Sequence, residues 1–344
     1  MRAFRISRHG GPEALEWVEL PPPRPAADEV LVRVRACALN RLDLWVRNGV
    51  PGHRFPLPLI PGSEIAGEIA ELGTAVQGLE TGMPMLVAPG VSCGRCERCV
   101  SGEEMLCRHY GIFGEHRDGG YAEYVAVPAR NVLPLPAGLS FAEAAAVPLV
   151  FLTAWHMLRV RAELRPFESV LIQAAGSGVS SAGIQIARLA GAHTIIATAG
   201  SNQKLAKAEA LGATHAINYH QQDFVDAVRE ITGKQGVDVV LDHVGGETFE
   251  KSLRVLAWGG RLVLCGATSA PTAEINLRAL FFKNQSILGS TMGSLAELRQ
   301  LLKFVVSGAL QPVVDRTMPL AAAPDAQRAL ESREQFGKIV LTVD

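Results

Sequence analysis

In the segment VLIQAAGSGVSS, residues 170–181, an apolar strand leads into a glycine-rich turn and then into a helix-compatible segment. Glycine at a strand-to-helix turn lets the backbone approach a pyrophosphate, which then sits on the N-terminus of the helix. The pattern departs from the full G-x-G-x-x-G form, because its last small position is serine or alanine. A tight turn without any ligand also explains such a sequence, so its surroundings matter.

Those surroundings show a regular alternation. From residue 169 to residue 289, short Val/Ile/Leu-rich runs alternate with amphipathic segments, which predicts a parallel sheet covered by helices on both faces. Residues 1–130 instead read as short strands separated by Pro and Gly clusters, and residues 293–344 are mixed. We therefore predict an α/β protein with a β-rich first domain, a doubly wound domain over 131–292, and a terminal strand that rejoins the first domain.

The overall composition excludes several classes of protein. The chain has 344 residues, 48% of them hydrophobic and 19% charged, which suits two well-buried domains. A formal net charge of −1 gives no reason to expect a nucleic-acid or anionic-membrane partner. The start MRAFRISRHGG has no apolar signal-peptide core, and the longest apolar stretch, 144–155, is too short to span a bilayer. These features predict a cytoplasmic location and small-molecule substrates.

Four of the six cysteines form one run, C-x2-C-x2-C-x7-C, made of Cys93, Cys96, Cys99 and Cys107. Four thiolates at this spacing can complete a tetrahedral Zn²⁺ site and leave no position for substrate, so the loop predicts one structural zinc per chain. A disulfide or a loop of free thiols is the alternative, and a reducing compartment disfavours the disulfide. Cys37 and Cys265 stand alone in apolar strands, where inert buried thiols are the common outcome.

The end of the second strand after the glycine turn bears on the choice of nicotinamide cofactor. An acidic residue there would bind the ribose 2′-hydroxyl of NAD, but residues 197–204 contain no carboxylate. Ser201 and Lys204 offer a hydroxyl and a cation instead, which suit the 2′-phosphate of NADP. A helix-capping serine followed by a solvated lysine explains both residues as well. The prediction is NADP(H) in preference to NAD(H).

Several separate segments together resemble the medium-chain dehydrogenase/reductase superfamily from end to end. They are GGPEALEWVELPPP, ALNRLDLWVRNG (38–49), PGSEIAGEIAELG (61–73), the CGRCERC loop, GGYAEYVAVP (119–128), AAAVPLVFLTAW (144–155), AAGSGVS and GATHAINY (212–219). The resemblance implies a GroES-like catalytic domain with a Rossmann domain inserted before its C-terminal part, which matches the boundaries above.

The resemblance also bears on catalytic zinc. Zinc alcohol dehydrogenases of this superfamily bind that metal at positions that match Asn40, Ser63 and Leu149 here, and none of these is a good zinc ligand. The segment ALNRLD is similar instead to quinone oxidoreductases that work without catalytic metal. In that likeness Asn40 would hydrogen-bond the substrate carbonyl, Asp43 would organise the pocket floor and Trp45 would form an apolar wall. Helix capping for Asp43 and core packing for Trp45 are the alternatives.

Further cofactor contacts are implied by the same resemblance, together with a homodimer or homotetramer that pairs strand 285–289 with its twofold mate. Tyr219 would lie against the adenosine phosphate, and the other residues follow the strands at their carboxyl ends. The predicted cofactor-binding set is Gly176, Ser177, Gly178, Val179, Ser180, Ser201, Lys204, Tyr219, Asp242, Val244, Gly266, Ala267, Ser290 and Thr291.

Without a Lewis acid, the easy hydride acceptors are already polarised systems, so we predict NADPH-dependent reduction of quinones, enones or other activated carbonyls. One alternative is a zinc alcohol dehydrogenase whose ligands are displaced, since Asp43, His53, Glu64 and Cys37 all fall in the first domain. A different class of alternative is a non-catalytic NAD(P)-binding protein, either a redox sensor or a crystallin-like protein, because the mechanism needs few titratable groups.

Overall fold

The computed structural model describes all residues from Met1 to Asp344 and separates into two compact units. Met1–Leu149 and Ser294–Asp344 form the first unit, and Val150–Gly293 forms the second. Residues 131–149, which we predicted to belong to the Rossmann domain, therefore lie in the first unit. The reason is strand pairing: Val132–Pro134 hydrogen-bonds to Pro84–Val87 of the first unit's sheet.

The first unit opens with nine strands and three helices. The strands are β1 (Arg2–Ile6), β2 (Leu15–Glu19), β3 (Glu29–Ala38), β4 (Glu64–Leu72), β5 (Pro84–Val87), β6 (Gly90–Val91), β7 (Gly111–Ile112), β8 (Tyr124–Pro128) and β9 (Val132–Pro134). The helices are α1 (Arg41–Asn48), α2 (Glu97–Val100) and α3 (Phe141–Ala145). Short 3-10 turns occupy 12–14, 104–106 and 129–131.

The second unit alternates strands and helices, as the sequence pattern predicts. Its helices are α4 (Val150–Trp155), which continues as a π-helical turn (His156–Arg161), α5 (Gly178–Leu189), α6 (Asn202–Leu211), α7 (Phe224–Ile231), α8 (Gly246–Arg254) and α9 (Leu277–Phe282). Its strands are β10 (Ser169–Ile172), β11 (Thr194–Ala199), β12 (His215–Asn218), β13 (Val237–Asp242), β14 (Leu256–Leu264) and β15 (Ser286–Gly289). All pairs are parallel, in the order β12-β11-β10-β13-β14-β15.

The chain then returns to the first unit with α10 (Leu295–Val306), β16 (Val314–Pro319), a 3-10 turn at 320–322, α11 (Ala323–Glu331) and β17 (Lys338–Thr342). Strand β17 pairs with β3, so the terminal strand rejoins the first sheet, whose order is β16-β17-β3-β4-β5-β9 with β8 also paired to β3. Residues from both parts of the chain fill one core, with Val32, Ile65, Phe113 and Leu341 among the members fully or almost fully buried. None of the helices is both long and apolar enough to cross a membrane.

The turn after β10 has an unexpected backbone conformation. Its left-handed residue is Ala174, with φ 52°, rather than a glycine. Two hydrogen bonds to Thr198 of the neighbouring strand hold it there: Ala174 N–H donates to the side-chain Oγ1 at 3.1 Å, and Ala175 N–H donates to the backbone O at 2.7 Å. An alanine in this region is costly, so the sheet must impose the turn.

Candidate functional site

The four cysteines of the zinc-type loop come together. The separations between their sulfur atoms are 3.5 Å for Cys96–Cys99, 3.6 Å for Cys93–Cys107, 3.7 Å for Cys96–Cys107 and 3.8 Å for Cys93–Cys99. A tetrahedral ion with metal–sulfur bonds of about 2.3 Å requires sulfur atoms about 3.8 Å apart. The donor set and its spacing therefore fit Zn²⁺. All four positions of such an ion are filled by sulfur, so the loop offers no place for a substrate.

A second cluster lies where three neighbouring strands of the first sheet meet. Strand β3 leads into Asn40 just before α1, β4 begins with Glu64, and β17 begins with Lys338. Because β3 pairs with both β4 and β17, with Ala38 opposite Glu64 and Val340, the three residues are brought together although the chain separates them widely. The sheet order alone creates this cluster.

The cluster is a buried hydrogen-bonded ion pair. The Lys338 ammonium lies 2.7 Å from Glu64 Oε2, donates to Asn40 Oδ1 at 2.6 Å, and also donates to the Leu39 carbonyl. Asn40 Nδ2 donates to Glu64 Oε2 at 3.1 Å, and its contact with Ala38 O is longer, at 3.4 Å. Asn40, Glu64 and Lys338 are all buried. Lys338 thus has an acceptor for each of its three N–H groups.

The three positions that match the zinc-ligand positions of alcohol dehydrogenases lie close together in this cluster. Glu64 Oε1 accepts the Leu149 backbone N–H at 2.7 Å, and Asn40 contacts the other oxygen of the same carboxylate. Ser63 precedes Glu64 directly, and its buried hydroxyl has no hydrogen-bond partner. An amide, a hydroxyl and an aliphatic side chain are poor ligands for zinc, and an ammonium holds the neighbouring carboxylate.

Asp43 lies fully buried beside this cluster and binds three donors. Its Oδ2 accepts the Asn40 backbone N–H at 2.7 Å and the Tyr121 hydroxyl at 3.3 Å, and its Oδ1 accepts the Gly62 N–H at 3.2 Å. Burial raises the pKa of Asp43 to about 6, although the Asn40 N–H and the charge of Lys338 act in the opposite direction. The carboxyl group thus ties the start of α1 to the 61–64 segment and caps that helix through the Asn40 N–H, so the helix-capping interpretation also describes its contacts. Trp45, on the same helix, is half-buried.

The Asp43 carboxyl should make stability depend on pH. Its folded-state pKa of about 6 lies above the unfolded value of 3.8, so its contribution is fully present below pH 3.8 and is lost as pH rises through 6. Relative to Asp43→Asn, the wild type should lose roughly 2 kcal/mol of unfolding free energy between pH 4 and pH 7. Urea unfolding of both proteins across that range checks this. Parallel stability curves would contradict the prediction.

In the second unit, the glycine turn carries a hydrogen-bonded group of serines and one histidine. Ser177 caps α5, since its hydroxyl accepts the Ser180 N–H at 3.0 Å. The His243 ring nitrogen Nε2 lies 2.8 Å from Ser177 Oγ and 2.9 Å from Ser180 Oγ, and Ser180 Oγ donates to Gln173 O. Gly176, Gly178 and Val179 lie in the same turn and first helical residues, where backbone N–H groups can meet a phosphate.

The end of β11 brings together the residues predicted to select the cofactor. Ser201 caps α6, and its hydroxyl accepts the Lys204 N–H at 3.4 Å, so the capping interpretation also describes the structure. Tyr219 is 45% exposed and packs edge-on against His220, with ring centroids 4.7 Å apart. A Cβ placed on Gly200 would lie 2.9 Å from His220 Nε2 and from the Tyr219 hydroxyl. Tyr219 and His220 therefore face the turn at Gly200.

The residues predicted to contact the cofactor after β13, β14 and β15 differ in their burial and in their partners. The Asp242 carboxylate is fully buried and accepts the N–H groups of Val244 at 2.6 Å and Gly245 at 3.1 Å, so it shapes the turn instead of facing a ribose. The turn after β13, which contains Val244 and Gly245, lies against the turn after β14, which contains Gly266 and Ala267. A Cβ on Gly245 would lie 3.0 Å from Ala267 Cα.

After β15, Ser290 keeps a buried hydroxyl without a partner, and Thr291 is exposed.

Sequence reasoning missed three residues. No motif singled out Lys338. Its position was the available clue, because it is a basic residue at the start of the strand predicted to rejoin the first domain. Ser63 was considered only as an absent zinc ligand, and its orphaned hydroxyl appears only in the structure. His243 was not in the predicted cofactor-binding set, although both of its neighbours, Asp242 and Val244, were.

The ligands considered for a displaced catalytic zinc do not gather. The structure holds two groups with metal-ligand spacing: the four cysteines, and His53 with Glu115 and His116. Asp43, Glu64 and Cys37 belong to neither of these groups, and His53 lies apart from them with other partners. The four residues named for the zinc alcohol dehydrogenase alternative therefore do not form one group with metal-ligand spacing.

Comparison with known proteins adds family information. Residues 26–137 match the family model described as alcohol dehydrogenase GroES-like domain, and residues 178–307 match that described as zinc-binding dehydrogenase. The chain is 32% identical to an NAD-dependent alcohol dehydrogenase of Sulfurisphaera tokodaii, over 99% of each protein. It is also 32% identical to quinone oxidoreductase 1 of Escherichia coli, over 98% of each. A crystal structure described as NAD-dependent alcohol dehydrogenase is 49% identical, with a TM-score of 0.96 and full coverage of both chains.

Proposed function

Because the chain belongs to the medium-chain dehydrogenase/reductase superfamily and is an NAD(P)-dependent oxidoreductase, we propose that it reduces quinones, enones or other activated carbonyls without a catalytic zinc. The single observation that carries this proposal is the Lys338–Glu64–Asn40 cluster. Full-length relatives of both kinds occur, an alcohol dehydrogenase and a quinone oxidoreductase at 32% identity each, and a structure described as an NAD-dependent alcohol dehydrogenase at 49%. Family membership therefore leaves the substrate open, and the chemistry of the site has to select it.

The cluster supports a metal-free site because a cation already holds the carboxylate. Zn²⁺ needs deprotonated or neutral donors such as thiolate, imidazole or carboxylate. At the three matching positions the chain offers an amide, a hydroxyl and an apolar side chain, and the Glu64 carboxylate is bound by Lys338 at 2.7 Å. A divalent ion here would have to displace the ammonium and leave it buried without its partner, which is costly.

Acceptors that need no Lewis acid fit such a site. Nicotinamide, when bound, supplies the hydride. Hydride addition to a quinone or enone gives a delocalised anion, whereas a simple ketone gives a localised alkoxide that zinc would otherwise stabilise. The chain then has only to orient the acceptor and donate a hydrogen bond to its oxygen, and a proton from water or a nearby donor completes the reduction.

Two donors can perform that task. One N–H of Asn40 Nδ2 makes only a long contact, 3.4 Å, with Ala38 O. This N–H can therefore donate to a substrate oxygen instead. The Lys338 ammonium on Asn40 Oδ1 polarises the amide and makes its N–H groups better donors. The Ser63 hydroxyl is the second donor, because it has no partner within the chain. Trp45 would supply apolar contact, and Asp43 would hold Asn40 and Gly62 in place.

The test of this function is a panel assay with a matched variant. The protein, with its loop zinc retained as verified by metal analysis, should oxidise NADPH with quinones or enones in the presence of a chelator. Ser63→Ala should lower kcat/KM for the acceptor while leaving unfolding free energy unchanged or higher, because it removes an unsatisfied buried hydroxyl. Absence of turnover with every acceptor in the panel would contradict the proposed activity and favour a non-catalytic cofactor-binding protein. Alcohol oxidation abolished by chelation would favour the alcohol dehydrogenase alternative, to which the 49% identical structure's description points.

We also propose NADP(H) as the preferred cofactor, on the Ser201 and Lys204 side chains and the absence of a carboxylate between 197 and 204. Lys204→Ala should raise KM for NADPH about 10-fold and leave KM for NADH nearly unchanged, since only NADPH carries the 2′-phosphate. Lys207→Ala, on the same helix, is the matched control. Equal changes in KM for NADPH and for NADH would show that Lys204 does not bind the 2′-phosphate.

The four-cysteine loop is proposed to hold one structural zinc per chain. The separations between sulfur atoms suit that ion, and a cytoplasmic location, where thiols stay reduced, is part of the same proposal. No step of the reaction involves this metal.

A homodimer or homotetramer completes the proposal. Strand β15 is an edge of the second sheet, and Trp258, Leu277, Phe281 and Phe282 next to it are each at least 65% exposed. Such an apolar surface beside an unpaired strand suits a second copy of the chain. Sedimentation equilibrium should give at least twice 36.7 kDa, and Phe282→Glu should lower that mass. A wild-type monomer would contradict this assembly.

A further inference from the structure

Two histidines and a glutamate converge on the surface of the first unit, outside both clusters described above. His53 Nε2 lies 3.6 Å from Glu115 Oε1, and His116 Nδ1 lies 3.5 Å from Glu115 Oε2. All three ligand atoms lie within 4.8 Å of one another. A metal with bonds of about 2.0–2.1 Å to nitrogen and oxygen requires ligand atoms about 3.3 Å apart in a tetrahedral arrangement. Small side-chain movements close this difference.

The backbone around Glu115 and His116 is a tight, hydrogen-bonded turn. Gly114 N–H donates to Arg117 O at 2.7 Å, and His116 N–H donates to Ile112 O at 2.9 Å. Two of the three ligands are therefore presented by a rigid segment, which lowers the entropy lost when a metal binds. His53 comes from a second segment, where its ring packs on Phe55 with centroids 4.4 Å apart.

The charges around Glu115 are those of a ligand-binding carboxylate. Its side chain is only 14% exposed, and its ion-pair partners are the two histidines. The adjacent Arg117 pairs instead with Glu29 at 2.7 Å and lies over the Phe113 ring. A largely buried carboxylate that meets only imidazoles has no permanent cation to balance it at neutral pH, and a bound divalent ion would supply one.

We propose that His53 Nε2, the Glu115 carboxylate and His116 Nδ1 form a second metal site, selective for a divalent transition metal of the zinc class. Imidazole donors select such ions over Mg²⁺ and Ca²⁺, which take oxygen ligands. The two histidines are 40% and 42% exposed, so water can occupy the remaining coordination position. The Ile112 N–H contact to His116 Nδ1, at a long 3.3 Å, is released on binding.

This site goes beyond the proposed hydride transfer and does not depend on it. Gly114, at the start of the ligand turn, packs closely on Gly62, whose N–H reaches Asp43. The metal would thus join segment 49–58 to the segment that supports the Asn40 cluster, without replacing any donor of that cluster. A bound ion would therefore fix the position of His53 and of segment 49–58.

The experiment is a metal titration of the full-length protein with its loop zinc retained. Added Co²⁺ should bind at one further equivalent per chain, with the weak d–d absorption of nitrogen and oxygen ligands and no thiolate charge-transfer band. His53→Asn, Glu115→Gln and His116→Asn should each weaken this binding by about 100-fold or more, since loss of even a ligand's supporting hydrogen bond costs 10–100-fold. His193→Asn, an exposed histidine of the second unit, is the matched control and should bind normally.

Calorimetric titration with Zn²⁺ and NADPH turnover should be measured on the same four variants. No additional equivalent of Co²⁺ or Zn²⁺, or binding that survives all three ligand substitutions, would overturn the site and leave a histidine–glutamate ion pair only. Binding lost in the three variants with turnover unchanged is the expected result. If the three ligand variants lose turnover and added metal restores it, the metal site stands and the metal-free mechanism is overturned. The experiment therefore distinguishes failure of the metal site from failure of the proposed function.

Discussion

A Lys338→Met variant should lose about 3–5 kcal/mol of unfolding free energy, because it leaves the Glu64 carboxylate buried without its cation. Both side chains are at most 4% exposed, and the ammonium satisfies Glu64, Asn40 and the Leu39 carbonyl together. Methionine has nearly the same length but cannot donate to any of the three acceptors. Urea unfolding of the two proteins at neutral pH measures the loss.

The control for this prediction is the double variant Glu64→Gln with Lys338→Met. Removing both charges should recover a large part of the lost stability, since the cost lies in the uncompensated charge and not in the missing contact. Arg35→Met, which breaks the half-buried ion pair with Glu68 at 3.5 Å, should cost at most about 1 kcal/mol. A Lys338→Met protein as stable as the Arg35→Met protein would show that the buried pair does not stabilise the fold.

The second large effect concerns the four-cysteine loop. Cys96→Ser should remove the loop zinc and unfold residues 92–110 locally, because zinc binding to such sites contributes on the order of 10–16 kcal/mol and couples directly to folding. The loop has little apolar burial to replace it, since Val100 is 71% exposed and Leu106 is 56% exposed. Metal analysis should show the loss of one zinc per chain, and limited proteolysis should cut within the loop.

The matched control is Cys265→Ala, which removes a cysteine of the second unit and should retain the loop zinc and its protease resistance. The separate core of the first sheet should survive in Cys96→Ser, because its strands bury their own apolar residues. Retention of zinc in Cys96→Ser would mean that three thiolates suffice or that the metal lies elsewhere. An intact loop without zinc would contradict the role given to the metal.

Local patterns in the sequence were enough to predict the secondary-structure elements and the cysteine cluster. The alternation of apolar runs and amphipathic segments predicted the parallel sheet, since strand and helix periods are properties of neighbouring residues. The four cysteines occupy one loop of fifteen positions from Cys93 to Cys107, so their spacing alone predicted the cluster seen in the structure. Helix ends followed the same rule, as Ser201 and Ser294 show by capping α6 and α10.

The contacts between residues far apart in the sequence could not be predicted from such patterns, because they depend on how the strands pair. Lys338 and Asn40 are 298 positions apart and are joined because β17 pairs with β3, a register that long-range packing selects. In the same way His53 meets Glu115 and His116, not Asp43 and Glu64 as one alternative required. The domain boundary moved from 131 to 150 because β9 pairs with β5. Local preferences specify the elements, whereas side-chain partners across a sheet depend on strand order, which no short segment contains.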